Sequence, residues 1–329
     1  MVAIPVEINW HSDLPVYASK AFLKTVGDEC GWIGGANESG KLRCVLPYSI
    51  IRRTGLRMVR FRVETIPLNG GFDEREEKSF LNSTIDYFRS TDADLIIPSN
   101  NTALFRTYPD GALAAPYGTF IKNLDQSEEA LWNEVASDYR QNIRKATRAG
   151  VHIKSGTEYL DSAYNLFATT LRRSGADIIK NHEDFRKSAL SLGENIRIFV
   201  AECDGVIQAC LVSPFSQHTA YDWYSGTVVK PVRGAMHLLI WEAIREFRVM
   251  GVKRFNFQGV RINPEKGSKQ EGIMNFKMRF GGKLVRGYMW KYPLHPLKSI
   301  AYSLAVRLLK GGDIVDQERH KLVGYKRPE

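Results

Sequence analysis

Val228-Val-Lys-Pro-Val-Arg-Gly-Ala-Met-His-Leu-Leu-Ile-Trp-Glu-Ala-Ile, ending at Ile244, is the stretch of this 329-residue chain that decides its fold. It reads as the end of a strand, an Arg233-Gly234 turn and a helix over 234–250 whose residues are mostly apolar. Upstream, 196–203, 206–214 and 218–227 read as three consecutive strands, the first two joined by an Asp204-Gly205 hairpin turn. Downstream come a strand (254–258), a helix (269–280), a strand (283–292) and a basic amphipathic helix (297–309). Strands and helices alternate, so the chain is α/β with a mixed sheet.

The same alternation extends toward the N-terminus. Ser127 reads as an N-cap, with Glu128 and Glu129 in the first turn of a helix running to about residue 149 and stopping at Gly150. A strand (151–154) and helices over 159–173 and 182–192 follow. In the first half, strands 42–51 and 57–65 flank a Thr54-Gly55 turn. A helix over 76–89 offers Phe80, Ile85 and Phe88 to a core, and 94–98 (DLIIP) is a short buried strand. The Gly, Ala and Pro content of 110–116 predicts a loop.

The halves resemble each other. Gly40-Lys-Leu-Arg-Cys-Val-Leu-Pro is similar to Gly205-Val-Ile-Gln-Ala-Cys-Leu-Val, an offset of 205 − 40 = 165 residues. The helix–strand unit ending in DLIIP is similar to the one ending in FNFQG. Two subdomains of one design are expected, 1–125 and 126–329, with a cleft between them.

Composition narrows the function classes. Lys plus Arg number 46 and Asp plus Glu 36, a net charge of +10. Lys41, Arg43, Arg52, Arg53, Arg57, Arg60 and Arg62 occur with no intervening acid, and so do Arg140, Arg144, Lys145 and Arg148. A third basic segment runs from Lys283 to Glu329. Any one cluster is compatible with a solvated face; three favour a polyanionic partner. The four cysteines are scattered, so neither a zinc ribbon nor a disulfide scaffold is indicated, and no metal site is expected. No secretory leader pattern opens the chain and no apolar run is long enough to span a bilayer, which predicts a cytoplasmic protein. There is no GxSxG elbow, HExxH zinc motif or P-loop.

The 228–244 stretch resembles the acyl-CoA signature of the GNAT acetyltransferase fold, in which a strand, a basic-Gly turn and a helix hold the CoA pyrophosphate on free backbone N–H groups. Arg233 and Gly234 match its start. Met236 and Leu238 stand where the family has small residues, so their side chains would crowd a phosphate. Further stretches resemble a more specific group: WNEVASDYRQNIRKATRAGV from Trp132 to Val151, the helix containing Arg172 and Arg173, Asn275-Phe276-Lys277-Met-Arg-Phe280-Gly281, and Gly287-Tyr288. In order and spacing they are similar to the Fem-type (FemAB-like) aminoacyl transferases, over about 131–292.

The resemblance implies tandem GNAT-like subdomains and transfer of an amino acid from aminoacyl-tRNA to an amine of a cell-wall (peptidoglycan) precursor. It implies that Phe276 and Lys277 lie beside the reacting groups, that Arg172 or Arg173 binds a substrate phosphate or carboxylate, and that Tyr224 lines the substrate cleft. The heptad run of a tRNA-binding coiled-coil arm is missing. An aminoacyl ester is already activated, so no cofactor is required. The enzyme must hold a neutral amine against the ester carbonyl and stabilise an oxyanion, for which Lys277 is a candidate donor. Asp222 or a water could take the amine proton; Tyr224 could position substrate or shuttle a proton. Arg140 and Arg144, four apart on one helix face, could bind an anion or form salt bridges. Each residue also has a plain structural reading: a solvated lysine, surface arginines, a packed strand tyrosine. His237, among apolar neighbours, reads as a packing residue.

Two alternatives stay open. One is an acyl-CoA-dependent N-acyltransferase using Arg233 and Gly234. The other is a non-catalytic module whose basic hairpin (52–62) and basic C-terminal helix (297–309) bind RNA or an anionic membrane face. A monomer is expected, with peripheral contact to the inner membrane surface through that helix.

Overall fold

The computed structural model describes residues 1–68, 70–175 and 181–324; Lys326 and Arg327 of the basic C-terminal segment lie outside them. The first half contains β1 (Val2–Val6), α1 (Lys20–Leu23), β2 (Glu29–Ala36), β3 (Leu42–Arg53), β4 (Leu56–Phe61), β5 (Ile66–Pro67), α2 (Glu74–Arg89), β6 (Leu95–Ile96) and β7 (Leu113–Asn123). The second contains α3 (Glu128–Glu134), α4 (Ser137–Arg148), β8 (His152–Ser155), α5 (Leu160–Arg173), α6 (His182–Leu190), β9 (Ile196–Cys203) and β10 (Val206–Pro214). It continues with β11 (Ala220–Tyr221), β12 (Tyr224–Thr227), α7 (Ala235–Val249), β13 (Arg254–Val260), α8 (Lys269–Arg279), β14 (Lys283–Pro293), α9 (Pro296–Lys310) and α10 (Ile314–Gly324).

Local chemistry accounts for many of these boundaries. Thr54 (φ 50°) and Gly55 (φ 75°), like Asp204 (φ 49°) and Gly205 (φ 75°), make two-residue turns with both central residues left-handed, as tight hairpins require. Asp73 and Glu76 form a capping box at the start of α2. Ser127 caps α3 through the Ala130 N–H. Phe80, Ile85 and Phe88 are buried beneath α2, as the periodicity predicts.

Three expectations are corrected. The helix predicted from 127 to 149 is two helices. Val135 is extended between them, and the Ala136 N–H donates to the Arg279 carbonyl at 2.8 Å, so a tertiary bond takes the place of the helical one. The loop predicted over 110–116 ends at residue 112, because Leu113 onward belongs to β7. That strand pairs with β14 from Leu113 to Ile121. Pro116 fits because its position lies beyond the β13 ladder, which starts at Gly118, and Tyr288 opposite sends its N–H to Phe105 instead. The strand predicted over 218–227 is two short strands in different sheets, and this break makes the site.

Ten strands form one mixed sheet in the order β1-β2-β3-β4-β6-β14-β7-β13-β11, with β5 on β3; β12-β10-β9-β8 form a second. The larger sheet is continuous across residue 125, since β7 lies between β14 and β13. Each half carries a hairpin, then a helix, then a strand in the same order. Both segments matched at an offset of 165 lead into the second strand of a hairpin, β3 and β10. The largest core packs α4 and α7 against β9, β10 and β13 through Ile143, Leu239, Phe247 and Phe255. A second surrounds Tyr17, Phe167, Phe185 and Tyr224, and a third lies under α2 around Phe61, Phe80 and Trp290. Among the described residues, no helix is long and apolar enough to cross a membrane.

Candidate active site

The site begins where one extended segment leaves its sheet. Tyr221 pairs in parallel with Asn256 of β13, whereas Tyr224 pairs antiparallel with Val212 of β10. Between them the Asp222 N–H donates to the Asn256 carbonyl and the Trp223 N–H to the Val212 carbonyl. The chain thus spans a fork between the two sheets, and Asp222 sits in it. Burial pushes its carboxyl above the ordinary carboxylate range; the nearby Lys277 charge and a hydrogen bond from Ser225 pull it back.

Lys277 comes from α8, which Ser268 caps through the Glu271 N–H. Its side chain is buried, and Nζ donates to the carbonyls of Gln258 and Gly259, each at 3.0 Å. Burial lowers its pKa to about 8, with Asp222 opposing the shift. The two groups therefore move in opposite directions for one physical reason, loss of water, and each stabilises the charged form of the other. Gln258 presents its carbonyl this way because its backbone is left-handed (φ 69°). Its N–H is held by Asn256 Oδ1 at 2.8 Å, and that same oxygen accepts from Thr119 Oγ1 at 2.8 Å.

In front of Gln258 lies a cleft of about 410 Å³ whose walls come from both halves, including Tyr17, Arg60, Arg62, Asn101, Tyr117 and Tyr224. Among the described residues, the buried Tyr17 Oη and Gln258 Nε2 have no hydrogen-bond partner of good geometry, and the Gln258 side chain acts on the Tyr17 hydroxyl. Burial raises the Tyr224 hydroxyl to about 12, so it is a donor at neutral pH. Arg60 and Arg62 alternate along β4 and its continuation and point to one side. Arg60 Nε donates to the Pro98 carbonyl at 3.0 Å. Arg62 donates to Ser49 Oγ (3.1 Å), Asn100 Oδ1 (3.3 Å) and the Val26 carbonyl (2.5 Å). All these acceptors are neutral. Among the described residues neither arginine has a carboxylate partner, and burial lowers both pKa values, that of Arg62 further still through the charge of Arg60. Like charges held this close away from water are costly unless an anion offsets them.

The site residues predicted from sequence divide. Tyr224 lines the cleft, while Asp222 and Lys277 act on each other at the fork and do not line it. The others stand outside the cleft walls. Arg144 stacks over Trp132, 5.6 Å from its centroid, and Arg140 reaches the Trp132 carbonyl and Asn133 Oδ1. Arg173 ties α5 to the end of β12 through the Val228 carbonyl (2.9 Å) and Thr227 Oγ1 (3.1 Å), while Arg172 is exposed. Phe276 packs on Tyr139, His237 and Phe280, which also makes His237 the packing residue expected. Sequence reasoning did not single out Tyr17, Asn101 or Gln258, which reach the cleft from segments far apart in the chain. Arg60 and Arg62 lay within the acid-free basic run, the one signal that pointed to them.

The Arg233-Gly234 turn does not fit a pyrophosphate. Gly234 (φ 87°) lies against α4 so closely that a Cβ would stand 2.1 Å from the Asn142 carbonyl oxygen, and Arg233 Nε is engaged by Asn142 Oδ1 at 3.2 Å.

Residues 133–277, under half of the chain, match the family profile described as an acetyltransferase (GNAT) domain, and the order of hairpin, strand–turn–helix and strand is similar to that fold. The whole fold resembles the Fem-type proteins. FemX superposes with a TM-score of 0.65 at 14% identity, covering 88% of this chain and 93% of that one. The C-terminal domain of a protein described as a lysylphosphatidylglycerol synthetase, from Agrobacterium fabrum, gives 0.52 at 16% identity, covering 89% and 93%. A conserved protein of unknown function from Bacteroides thetaiotaomicron gives 0.52 at 10%, covering 84% and 90%. No curated protein matches the sequence.

Proposed function

We propose that the protein forms an amide bond by transferring an aminoacyl group from aminoacyl-tRNA to the amine of an anionic acceptor, a cell-wall precursor or a similar molecule. The observation that carries this reading is the fork at Asp222, with Lys277 beside it and the Arg60–Arg62 pair across the adjoining cleft. The Fem-like fold supports the same chemistry.

In the proposed reaction the acceptor's anionic group rests on Arg60 and Arg62, and its amine approaches the ester carbonyl of the donor. Asp222, made more basic by burial, takes the proton as the N–C bond forms. Lys277 has three N–H groups and commits two of them to carbonyls. The third is available to the developing oxyanion. When the tetrahedral intermediate collapses, the C–O bond to the ribose breaks and the proton on Asp222 passes to the departing hydroxyl. Every electron pair and proton is accounted for without a cofactor, and no step runs through CoA.

The test is label transfer from a mixed pool of radiolabelled aminoacyl-tRNAs, with a cell extract supplying acceptors. An alkali-stable labelled amide formed by wild type and lost in Lys277→Ala supports the reading. Transfer from labelled acetyl-CoA instead, with none from aminoacyl-tRNA, overturns it.

A further inference from the structure

Helix α9 presents its apolar face to solvent. Leu297, Leu308 and Leu309 are 80%, 86% and 81% exposed, and Ile300 and Leu304 are more than half exposed. Leu297, Ile300, Leu304 and Leu308 follow a 3-4-4 spacing, so they form one stripe, with exposed Ala301 and Ala305 beside it. An ordinary surface helix hides such a stripe, and α9 hides only Ser299. The stripe continues into an apolar groove of about 490 Å³ between α9 and strands β6 and β14, where Ile300 and Leu304 face Ile97 and Leu113. Contiguous apolar surface of this kind marks an interaction site.

The charges around the stripe select its occupant. Helix α9 contains Lys298, Arg307 and Lys310 and no acid. Lys298 is paired with Asp94 (2.7 Å), which leaves Arg307 and Lys310. On the other side of the helix, Tyr302 packs on the buried cluster of Met58, Leu95 and Ile97, and the positive charge of Arg53 acts on it. The nearby acids Asp313 and Asp316 are both occupied by Lys291. A second copy seated on this face would oppose Arg307 and Lys310 with like charges. An anionic lipid surface offers the complement: hydrocarbon for the leucines and headgroup charge for the cations.

We infer that α9 docks the protein, in the plane of the interface, on an anionic bilayer surface. This rests on α9 and its flanks alone and stands whether or not the transfer reaction is as proposed. The experiment is co-sedimentation of the full chain with phosphatidylcholine vesicles, with and without phosphatidylglycerol. Wild type binds the phosphatidylglycerol vesicles, and the bound fraction falls as salt is raised. The double variant Leu297→Asp, Leu308→Asp loses at least about tenfold in partitioning with an unchanged melting curve, because both side chains already face water. Arg307→Glu, Lys310→Glu loses the preference for anionic lipid. No binding by wild type, or equal binding by the leucine variant, overturns the inference. So does a concentration-dependent dimer in sedimentation equilibrium that Leu308→Asp abolishes, which would make the occupant a second copy.

Discussion

Lys277 Nζ donates to the Gln258 carbonyl at 3.0 Å, and Gln258 forms part of the cleft wall. The bond couples a buried ammonium to the cleft surface through one residue whose left-handed backbone is held by Asn256 and, behind it, Thr119. A strained non-glycine residue held from several sides is a common feature of functional sites. Here the strain aims a carbonyl at a lysine 19 residues away.

On the proposed reaction, Lys277→Met lowers turnover by about 10²–10³, the usual cost of removing one oxyanion donor. The pH profile provides an independent reading. Because burial lowers Lys277 to about 8, wild-type activity falls as pH rises through about 8. Lys277→Arg, which stays protonated, lacks that limb. Folding stability moves the other way. The unfolded lysine keeps its proton to about pH 10.4, so between about 8 and 10 the unfolded state binds more protons and stability rises with pH. Denaturant melts across that interval measure it.

Asp222→Asn removes the group proposed to accept the amine proton and lowers turnover by about 10²–10⁴. Burial raises the wild-type carboxyl, so its acid limb lies above the ordinary carboxylate range and disappears in the asparagine variant. Full activity in Asp222→Asn would return the base role to a water.

Arg60 and Arg62 are expected to bind an anion even without the reaction. Inorganic pyrophosphate raises the wild-type melting temperature; at a hundredfold excess over its dissociation constant, mass action supplies about 2.7 kcal/mol. Arg62→Met abolishes that shift and raises the acceptor KM by about tenfold to a hundredfold, the range for a lost charge-assisted bond. A pyrophosphate response equal to wild type would detach these arginines from substrate binding.

Gly234→Ala destabilises the fold by about 2 kcal/mol or more, because φ 87° is costly for any side chain and the new methyl meets the Asn142 carbonyl. Urea melts test this. A loss smaller than about 0.5 kcal/mol would mean that α4 does not press on the turn.

Much of the fold was legible because its signals are local. Hairpin turns at Thr54-Gly55 and Asp204-Gly205, the Ser127 cap and the 3.6-residue periodicity of α2, α5 and α7 act within a few residues of themselves. Where neighbours distant in sequence compete for the backbone, local reading failed. The Ala136 N–H goes to Arg279, ending a helix that propensity would continue. β7 holds a proline because its partners leave that edge open.

The site divides along the same line. Local pattern carries the α/β alternation, the strand–turn–helix around Gly234, the basic excess and the candidacy of Tyr224, Asp222 and Lys277. Packing alone brings Asp222 and Lys277 within reach of each other, places Arg140, Arg144, Arg172, Arg173 and Phe276 elsewhere, and lines one cleft with Tyr224, Arg60, Arg62, Tyr17 and Gln258. The physical reason is that burial and charge pairing are set by what packs around a group. Asp222 and Lys277 lie 55 residues apart, and nothing in their own neighbourhoods records that the fold removes water from both.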